Sequence, residues 1–472
     1  MKKIRIKSIY TSYLQKTFGL LIILSFFTAI NSCKKDKDEE PEPTITNPNA
    51  DFTYSIDKAN APLTVIFNNT STNANSYEWD FGDGKSSTDK NPTNTYSNEG
   101  KYTIKLTAKG NSSDNYLSKE IELVIPNLIG AEFIELGEAV IRQLSYSSDT
   151  NVYDHVAFPD FAKLSDGRLL CTWREATEHM QDPKAGKFMK SIGSADGLTW
   201  SEATLLYDEP GKDDRDISLN RMSDGTIIAD FFKSYSGYCY ILKSKDDGQT
   251  WIGYDSVKAN GDGGWSVPSA QAVEINGEIW IPTYGNDGTY SKSRVVMVKS
   301  KNNGTSWSTE VINGEDLKSF NLQEPTIIKA HNNRLIMHVR TYGAIGMGKM
   351  AQCYSDDGGK TWTSWKFFGF IGHAPELYKT ESGVLISAFR YLNSDATETY
   401  TGMMYSVDNG ETWSDRIVVD VSDAETGYPS IESLGNDKFI ISYYRLMYSG
   451  NSYYMQIKAK TFQCNAEYMS KK

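Results

Sequence analysis

The chain has 472 residues, a formal net charge of −11 and an apolar content of 39%. Its length permits two or three domains with one large core. The negative charge excludes a nucleic-acid partner, because no basic stripe could overcome that field. Aromatic residues make up 12% of the chain, with 29 Tyr and 10 Trp, a content typical of β proteins, many of which bind sugars.

Residues 1–33 have the pattern of an export signal. A basic segment precedes "FGLLIILSFFTA", an apolar stretch of 12 residues that is short for a membrane span. The following "INSC" resembles the cleavage box of bacterial lipoproteins and makes Cys33 the lipidated N-terminus; the alternative is an ordinary secretory signal with an incidental cysteine. Residues 34–48 are charged and proline-bearing, which predicts a disordered acidic tether. We therefore predict an outer-membrane lipoprotein exposed at the cell surface.

Residues 49–127 predict a small β-sandwich. Short alternating strands such as "DFTYSI" and "SYEWDFGDG" are separated by clusters of Gly, Asn, Pro and Ser. The stretches "YEWDFGDG" and "NPTNTYSNEGKYTIKLTA" resemble the polycystic-kidney-disease (PKD) domain, with Asn94 where that family often has His. The resemblance implies an Ig-like spacer or glycan-adhesion module without chemistry. Asp80 and Asp83 are expected to form turns there and not to bind a metal.

Residues 128–472 contain two alternating motifs, and the first is a tight turn. Its copies have the form "SADGLTWSE" and begin at Ser194, Ser244, Ser300, Ser355 and Ser406. Asp and Gly favour the turn, and the Trp packs beneath it. Five copies, with tryptophans 51 to 56 residues apart, resemble the Asp box (BNR repeat) of the sialidase superfamily. There the motif lies on the blade edges of a β-propeller, so we assign the boxes no catalytic role.

The second motif is a hairpin of strand, tight turn and strand. Its six copies begin at Phe158, Asp216, Pro268, Glu324, Ala374 and Tyr428. Six copies predict six four-stranded blades around a central channel, the last one closed by a strand from "AEFIELGEAVIRQLSY". The predicted fold class is all-β, with a six-bladed β-propeller after an N-terminal Ig-like (PKD) β-sandwich.

Aligning the hairpins on their turns gives two columns of residues that should meet at one rim of the channel. The first column consists of the six starting residues. The second column holds Arg174, Phe232, Tyr284, Arg340, Arg390 and Tyr444. Three arginines in a narrow ring repel each other unless anions pair with them. The anions are either protein carboxylates, namely Asp160, Asp216, Glu324 and Glu376, or an acidic ligand that guanidinium groups bind in bidentate fashion.

The resemblance to sialidases also implies chemistry. Those enzymes hold a substrate carboxylate with three arginines and use a tyrosine nucleophile polarised by a glutamate, with an aspartate as acid/base. The segment "EPTIIKAHNNRLIMHVR" resembles the one that carries the glutamate and the second arginine, here Glu324 and Arg340. The segment "TGYPSIESL" resembles the tyrosine segment and places the nucleophile on Tyr428. A phenol needs a neighbouring carboxylate to take its proton, so Glu324 should lie beside Tyr428.

The sequence departs from the family pattern at two places. Ala157 stands where the first arginine is expected, and Arg390 lies at a different position from the third. No motif defines the acid/base. Our candidates are Asp160 and Glu175, with Glu178, His179, Asp182 and Asp216 as others. We predict substrate contacts for Arg340, Arg390, Arg174, Asp216, His179, Glu376 and Tyr284, and the sugar itself stays open.

Three functions compete. The first is a surface-anchored, exo-acting glycoside hydrolase that removes terminal sugars, including acidic ones, from glycans. The second is a propeller polysaccharide lyase that uses His155, His179 or His373 with Tyr428 as base and acid, and an arginine to neutralise a uronate. The third is a glycan-binding lipoprotein without catalysis. No Cys or His spacing fits a metal motif, so we expect no cofactor, although propellers often hold a structural Ca²⁺ ion.

Overall fold

A computed structural model describes residues 47–56, 63–123, 128–145, 154–179, 186–260, 263–312, 319–343, 346–392, 398–422, 424–449 and 452–468. All of them belong to one compact unit, Asn47–Lys472. The predicted signal segment, Cys33 and nearly all of the tether lie outside the described residues. The described part consists of β-strands and loops with one short 3-10 turn, His331–Asn333. Within it, no helix has the length and apolarity needed to cross a membrane.

The N-terminal strands form a two-sheet sandwich. They are β1 (Phe52–Ile56), β2 (Thr64–Asn69), β3 (Ser76–Asp80), β4 (Ser86–Ser87), β5 (Thr93–Thr95), β6 (Gly100–Lys109) and β7 (Asp114–Leu123). One sheet has the order β1-β2-β5 and the other β4-β3-β6-β7. Alternation along the strands turns every second side chain inward. As a result Trp79 is fully buried, with its ring 5.3 Å from Phe67 and 6.5 Å from Phe81.

The carboxylates of the "DFGDG" stretch are used within the turn. Asp80 Oδ1 accepts a hydrogen bond from the Gly82 N–H at 2.9 Å, and Asp83 Oδ1 accepts one from the Lys85 N–H at 3.0 Å. Asn94, which replaces the histidine common in the PKD family, donates to Asp83 Oδ2 at 3.0 Å. Both aspartates therefore stabilise the turn, as the sequence predicts.

The remaining strands form antiparallel meanders. The first half comprises β8 (Leu128–Ser145), β9 (His155–Lys163), β10 (Leu169–Ala176), β11 (Lys187–Gly193), β12 (Thr204–Tyr207), β13 (Asp214–Arg221), β14 (Ile227–Lys233), β15 (Cys239–Ser244), β16 (Ile252–Val257), β17 (Trp265–Pro268), β18 (Val273–Ile275), β19 (Glu278–Asn286), β20 (Arg294–Ser300) and β21 (Ser308–Ile312). The second half comprises β22 (Asn321–Lys329), β23 (Leu335–Gly343), β24 (Gly346–Ser355), β25 (Lys366–Lys379), β26 (Leu385–Leu392), β27 (Thr399–Ser406), β28 (Ile417–Ser422), β29 (Thr426–Gly435), β30 (Lys438–Ser449) and β31 (Ser452–Tyr468).

The meanders follow one plan. Strands β9 to β12 and β13 to β16 form two sheets, and in the next sheet β17 and β18 both pair with β19, followed by β20 and β21. A seven-stranded sheet runs from β22 to β28, in which β25 pairs through its first part with β24 and, from Gly372 on, with β26. Each predicted hairpin supplies the first strands of a meander, and each Asp box connects its last two strands. The last sheet has the order β29-β30-β31-β8.

The fourth Asp box shows how the polar residues of the motif hold the turn. In the fourth copy, Ser355 Oγ donates to Asp357 Oδ1 at 2.8 Å, and the same oxygen accepts the Thr361 N–H at 2.9 Å. Trp362 closes the turn by donating from Nε1 to the Gly359 carbonyl at 3.1 Å. The polar groups of the box thus bond to each other, which is a structural role.

The strand that precedes the first meander completes the last one. Strand β8 pairs antiparallel with β31, from Leu128 opposite Tyr468 to Ser145 opposite Tyr454. It begins three residues earlier than the predicted closing strand, which starts at Ala131. The first strands of several successive meanders also touch: β9 contacts β13, β22 contacts β25, β25 contacts β29, and β29 contacts β9.

The first strand of five meanders carries a bulge where it reaches the first column. There, φ lies between 46° and 57° at Phe158, Asp216, Glu324, Ala374 and Tyr428. The register with the neighbouring strand shifts at the same point in each of the five. A positive φ is strained for residues with a Cβ, and a bulge re-aims a side chain out of the regular pleat. In the remaining meander β17 ends at this position, on Pro268.

Candidate functional site

Tyr428 and Glu324 form the centre of the site. The Tyr428 hydroxyl donates to Glu324 Oε1 at 2.7 Å, and Arg340 Nη1 donates to the same oxygen at 3.0 Å. The other carboxylate oxygen, Oε2, accepts the Ala374 N–H at 2.8 Å. Glu324 and Arg340 stand at the bulge of β22 and on β23, and Tyr428 stands at the bulge of β29. The predicted contact between nucleophile and glutamate is thus present in the structure.

Electrostatics keeps the shared proton on the tyrosine. Burial by itself raises the pKa of Glu324, but Arg340, His373 and the Tyr428 hydrogen bond lower it to about 2. Burial raises the pKa of Tyr428 well above its usual value, and the Glu324 charge raises it further. Glu324 is therefore an ionised acceptor and Tyr428 a neutral donor in the resting protein.

Arg390 packs against the same tyrosine. Its guanidinium carbon lies 5.3 Å from the centroid of the Tyr428 ring, within the range of a cation–π contact. Its Nη2 lies 2.8 Å from His373 Nδ1, and its Nη1 lies 3.9 Å from Glu425. The Nε atoms of Arg340 and Arg390 are buried, and neither has a hydrogen-bond partner in the described part of the chain.

A third arginine was missed by the sequence reasoning. Arg215 lies with its guanidinium carbon 5.5 Å from the centroid of the Phe158 ring, and that ring is 4.8 Å from the ring of Tyr428. Its Nε is 3.8 Å from Asp216 Oδ1. Aligning the hairpins selected Asp216 and passed over the residue before it. The available signal was the run of three charged residues, Asp214–Asp216, at the start of β13.

Asp216 and Tyr284 lie in the same site, near Arg215 and Glu324. Burial raises the pKa of Asp216 to about 6, although Arg215 and Arg174 pull it down. Its Oδ1 is buried without a hydrogen-bond partner among the described residues. Burial also raises the pKa of Tyr284, with Asp216 and Glu324 as nearby negative charges. The site thus contains two carboxylates, Glu324 and Asp216, whose pKa values are held far apart.

Two histidines and a further glutamate lie beside the tyrosine. His179 Nδ1 is 3.1 Å from His155 Nε2 and 3.3 Å from Glu425 Oε1. The Tyr444 hydroxyl donates to the same Glu425 oxygen at 2.7 Å. The rings of Tyr444 and Tyr428 lie 6.1 Å apart. His179 was a predicted contact, whereas Glu425 was not considered, because it lies in the connection before β29.

Arg174 and Glu175 are already paired inside the protein. The Arg174 side chain is fully buried, and it donates from Nη2 to Asp213 Oδ1 at 2.6 Å and from Nη1 to the Glu178 carbonyl at 3.0 Å. Glu175 accepts hydrogen bonds from Arg142 of β8 and from the Trp173 indole, at 2.7 and 3.2 Å. These contacts do not support a substrate role for Arg174 or a catalytic role for Glu175. Consecutive strand residues point to opposite faces, which separates these two neighbours.

Asp160 and Glu376 line a small cavity beneath the first column. Its lining includes both carboxylates together with Asp216, Tyr428 and Ser430. Asp160 accepts hydrogen bonds from the Phe161 and Leu219 N–H groups, the Gln271 amide and the Ser430 hydroxyl, while burial raises its pKa to about 6. Burial likewise raises the pKa of Glu376. Because its acceptor sites are occupied, Asp160 ties strands together and is a poor choice of acid/base. Asp182 lies outside the described residues.

Two family models match this chain. The "PKD domain" model matches residues 41–125. The "BNR repeat-like domain" model matches residues 167–431, more than half of the 472 residues. The chain belongs to the BNR repeat-like family. The matched region contains all five Asp boxes, and it also contains Asp216, Glu324, Arg340, Arg390 and Tyr428.

Solved structures share the fold of this BNR repeat-like protein. A protein of unknown function from Dyadobacter fermentans has a TM-score of 0.58 at 20% identity, covering 70% of this chain and 99% of that one. The Hadza microbial sialidase Hz136 has a TM-score of 0.53 at 12% identity, covering 89% and 96%. Collagenase ColA of Bacillus cereus is 25% identical over 218 residues, which is 45% of this chain and only 20% of the collagenase. The structural likeness shows a sialidase-like all-β fold.

Proposed function

We propose that this protein is a surface-anchored, exo-acting glycoside hydrolase of the sialidase superfamily that cleaves terminal acidic sugars with retention of configuration. Its meanders would close as a six-bladed propeller, with the site at one end of the channel. The observation that carries the proposal is the 2.7 Å hydrogen bond from Tyr428 to Glu324, flanked by arginines. A tyrosine held against an ionised carboxylate is an activated nucleophile.

The arginines favour an anionic substrate. Arg215, Arg340 and Arg390 surround the Tyr428–Glu324 pair and come from three different strands, β13, β23 and β26. Arg340 is hydrogen-bonded to Glu324, whereas the contacts of Arg215 with Asp216 and of Arg390 with Glu425 are longer, at 3.8 and 3.9 Å. Guanidinium groups bind a carboxylate through paired N–H donors, and the buried Nε atoms of Arg340 and Arg390 have no partner among the described residues. A sugar carboxylate would satisfy these donors.

Substrate binding would also activate the base. Glu324 has a pKa of about 2 because Arg340, His373 and the Tyr428 hydrogen bond outweigh its burial. A bound carboxylate neutralises the nearby arginines and so raises the affinity of Glu324 for a proton. The Tyr428 oxygen then bonds to the anomeric carbon as its proton moves to Glu324 and the glycosidic bond breaks. Water later releases the sugar from the tyrosine with the original configuration.

Asp216 is the acid in this proposal. Two carboxylates whose surroundings push their pKa values apart divide the acid and base roles. Glu324 is ionised, whereas burial raises the pKa of Asp216 to about 6, so that Asp216 can hold the proton that the leaving oxygen takes. Asp216 replaces Asp160 and Glu175, whose carboxylates are engaged by other groups.

The anchoring is proposed from the sequence. Cys33 would carry the lipid in the outer membrane, and residues 34–48 would hold the sandwich and the site about 45 Å from it if they extend by ~3.1 Å per residue. The PKD-like sandwich would add a rigid spacer. Such reach suits an enzyme that works on large glycans outside the cell.

A glycan panel with mass-spectrometric product analysis tests the proposal. Release of a free terminal sugar by the wild type and its loss in Tyr428→Phe are the expected results, with the product anomer followed by proton NMR. Initial release of the inverted anomer would contradict the tyrosine nucleophile. Glycan binding without turnover, unchanged in Tyr428→Phe, would indicate a glycan-binding protein instead.

A polysaccharide lyase is the second candidate, because the structure brings its histidines to the site. His179 lies 5.6 Å from the Phe158 ring that packs on Tyr428, and His373 contacts Arg390. Burial lowers the pKa of His155, His179 and His373, which keeps these imidazoles neutral and able to accept a proton. A lyase would produce the ultraviolet absorbance of an unsaturated uronide, which a hydrolase does not.

A further inference from the structure

Three side chains from distant parts of the chain converge beside the Tyr428 site. His155 begins β9, His179 follows β10, and Glu425 immediately precedes β29. One atom from each, His155 Nε2, His179 Nδ1 and a Glu425 oxygen, lies within 4.8 Å of both others. His155 is buried, and the other two side chains are about one quarter exposed. The cluster therefore opens on one side only.

The separations match the edges of a metal-binding tetrahedron. His179 Nδ1 is 3.1 Å from His155 Nε2 and 3.3 Å from Glu425 Oε1. Zinc binds imidazole nitrogen and carboxylate oxygen at about 2.0–2.2 Å, so two ligand atoms of a tetrahedral site lie about 3.3–3.5 Å apart. These two separations lie at or slightly below that edge, so small outward shifts of the side chains around one ion would reach the geometry.

Hydrogen bonds within the protein satisfy the cluster incompletely. His179 Nδ1 faces both His155 Nε2 and Glu425 Oε1, yet it has one proton or one lone pair to offer. His155 Nδ1 is buried without a hydrogen-bond partner in the described residues.

We propose that His155 Nε2, His179 Nδ1 and Glu425 Oε1 bind one divalent transition-metal ion of the zinc type. Two nitrogens and one carboxylate favour zinc and its neighbours, whereas Ca²⁺ and Mg²⁺ prefer a shell of oxygens. Tyr444 supports the site by donating to Glu425 at 2.7 Å. Three protein ligands leave a fourth position for water or for an oxygen of a bound glycan. The site stands on its own geometry and does not depend on the hydrolase proposal.

Metal binding is tested on the full-length protein after chelator treatment and desalting. With Zn²⁺ as the probe, calorimetry and elemental analysis should give one ion per chain. With Co²⁺, the intense visible absorption of a tetrahedral site should appear. In Glu425→Gln and in His179→Ala, affinity should fall by more than the about 10- to 100-fold that loss of a supporting hydrogen bond costs.

A histidine elsewhere provides the matched control. His331 lies in the 3-10 turn, and its ring contacts the Gly383 carbonyl, so His331→Asn should bind Zn²⁺ as the wild type does. The melting temperature of each variant without metal shows whether it folds, and Zn²⁺ should raise that of the wild type but not of Glu425→Gln. Equal binding by the wild type and Glu425→Gln, or no binding by either, would overturn the proposal. Tyr428→Phe should bind Zn²⁺ normally whether or not the protein is a hydrolase.

Discussion

The bulges of the first column and the turns of the Asp boxes both place residues at positive φ. The two regions differ in the types of residue that occupy these positions. In the boxes these positions are held by residues that tolerate them, such as Asn409 at 61° and Gly410 at 81°. In the first column they are held by residues that do not, including Glu324 at 50° and Tyr428 at 48°. Asn and Gly therefore keep the backbone strain low in the Asp boxes. The residues of the first column retain that strain.

The two regions also differ in how completely their polar side chains are hydrogen-bonded. The carboxylate of Asp357 in a box is met by several donors from its own turn. Around the first column, Asp216 Oδ1 and the Nε atoms of Arg340 and Arg390 have no partner among the described residues. Strain and buried polar atoms without partners persist where a ligand or a reaction needs them. The contrast separates the part of each repeat that folds the protein from the part that we propose to be active.

The sharpest test of this contrast is Tyr428→Phe. It removes one hydroxyl from the strained region, and we expect kcat/KM to fall by at least about 1,000-fold because the proposed nucleophile is lost. The melting temperature should change by only a few degrees, since the ring stays in place. Tyr391→Phe is the control, because Tyr391 stacks on Tyr400 at 4.8 Å outside the site. Equal activity of the two variants would refute the role of Tyr428.

Two arginines of the second column should differ in the same way. Arg174 should affect stability, and Arg390 should affect activity. Arg174→Gln removes the fully buried cation that donates to Asp213, whose remaining contacts with Ser234 and Arg215 compensate its charge less well, and we expect the free energy of unfolding to fall by about 3–5 kcal/mol. Arg390→Gln should cost little stability but lower kcat/KM by about 100-fold toward acidic glycans. Denaturant unfolding and steady-state kinetics on both variants check this. A stability loss in Arg390→Gln as large as that in Arg174→Gln would make Arg390 structural.

A substitution in an Asp-box turn should lower the stability of the protein and leave its activity unchanged. In Gly410→Ala the new Cβ would strain a φ of 81° and stand 2.4 Å from Ile336 Cδ1. We expect a loss of about 2–3 kcal/mol in the free energy of unfolding, with kcat/KM unchanged. In Gly167→Ala the φ is 87° but nothing lies within 4 Å, so the loss should be about 1 kcal/mol. A large fall in kcat/KM for Gly410→Ala would mean that the Asp-box turn also contributes to activity.

The pH dependence of kcat/KM should reflect the protonation of Asp216. As the acid it must be protonated, and its pKa is about 6, so kcat/KM should fall about tenfold per unit as pH rises above that value. Asp216→Asn should lose this limb together with most activity. Stability follows the same sign: the folded pKa exceeds the ordinary 3.8, so this contribution is complete below pH 3.8 and is lost as pH rises through 6. An alkaline limb that persists in Asp216→Asn would assign the acid elsewhere.

The smallest effect is expected at Ala374. Its φ is 46°, and its N–H, which bonds to Glu324, does not require a side chain. Ala374→Gly relieves strain of about 1–2 kcal/mol but adds about 0.5–1 kcal/mol of backbone entropy to the unfolded chain. We therefore expect a gain in stability of less than about 1 kcal/mol, measured by denaturant unfolding. A clear loss of stability would mean that the bulge is not strained there.

The repeats explain why part of the site could be predicted. Each turn fixes the register of its hairpin, so residues counted from the turns reach the same rim, and this placed Glu324, Arg340, Arg390 and Tyr428 together. The count selects one residue in each strand, so it took Asp216 and passed over its neighbour Arg215. It also fails for partners far along the chain. Nothing local shows that Asp213 pairs with Arg174, that Arg142 pairs with Glu175, or that Glu425 meets two histidines.

The pairing of β8 with β31 sets the order in which the molecule can mature. Strand β8 is made before any of the meanders, and its partner is made after all of them. Until β31 has been made, the edge of β8 has no partner strand, and an unpaired strand edge is open to pairing with another chain. The last sheet can therefore be completed only when β31, its third strand, has been made.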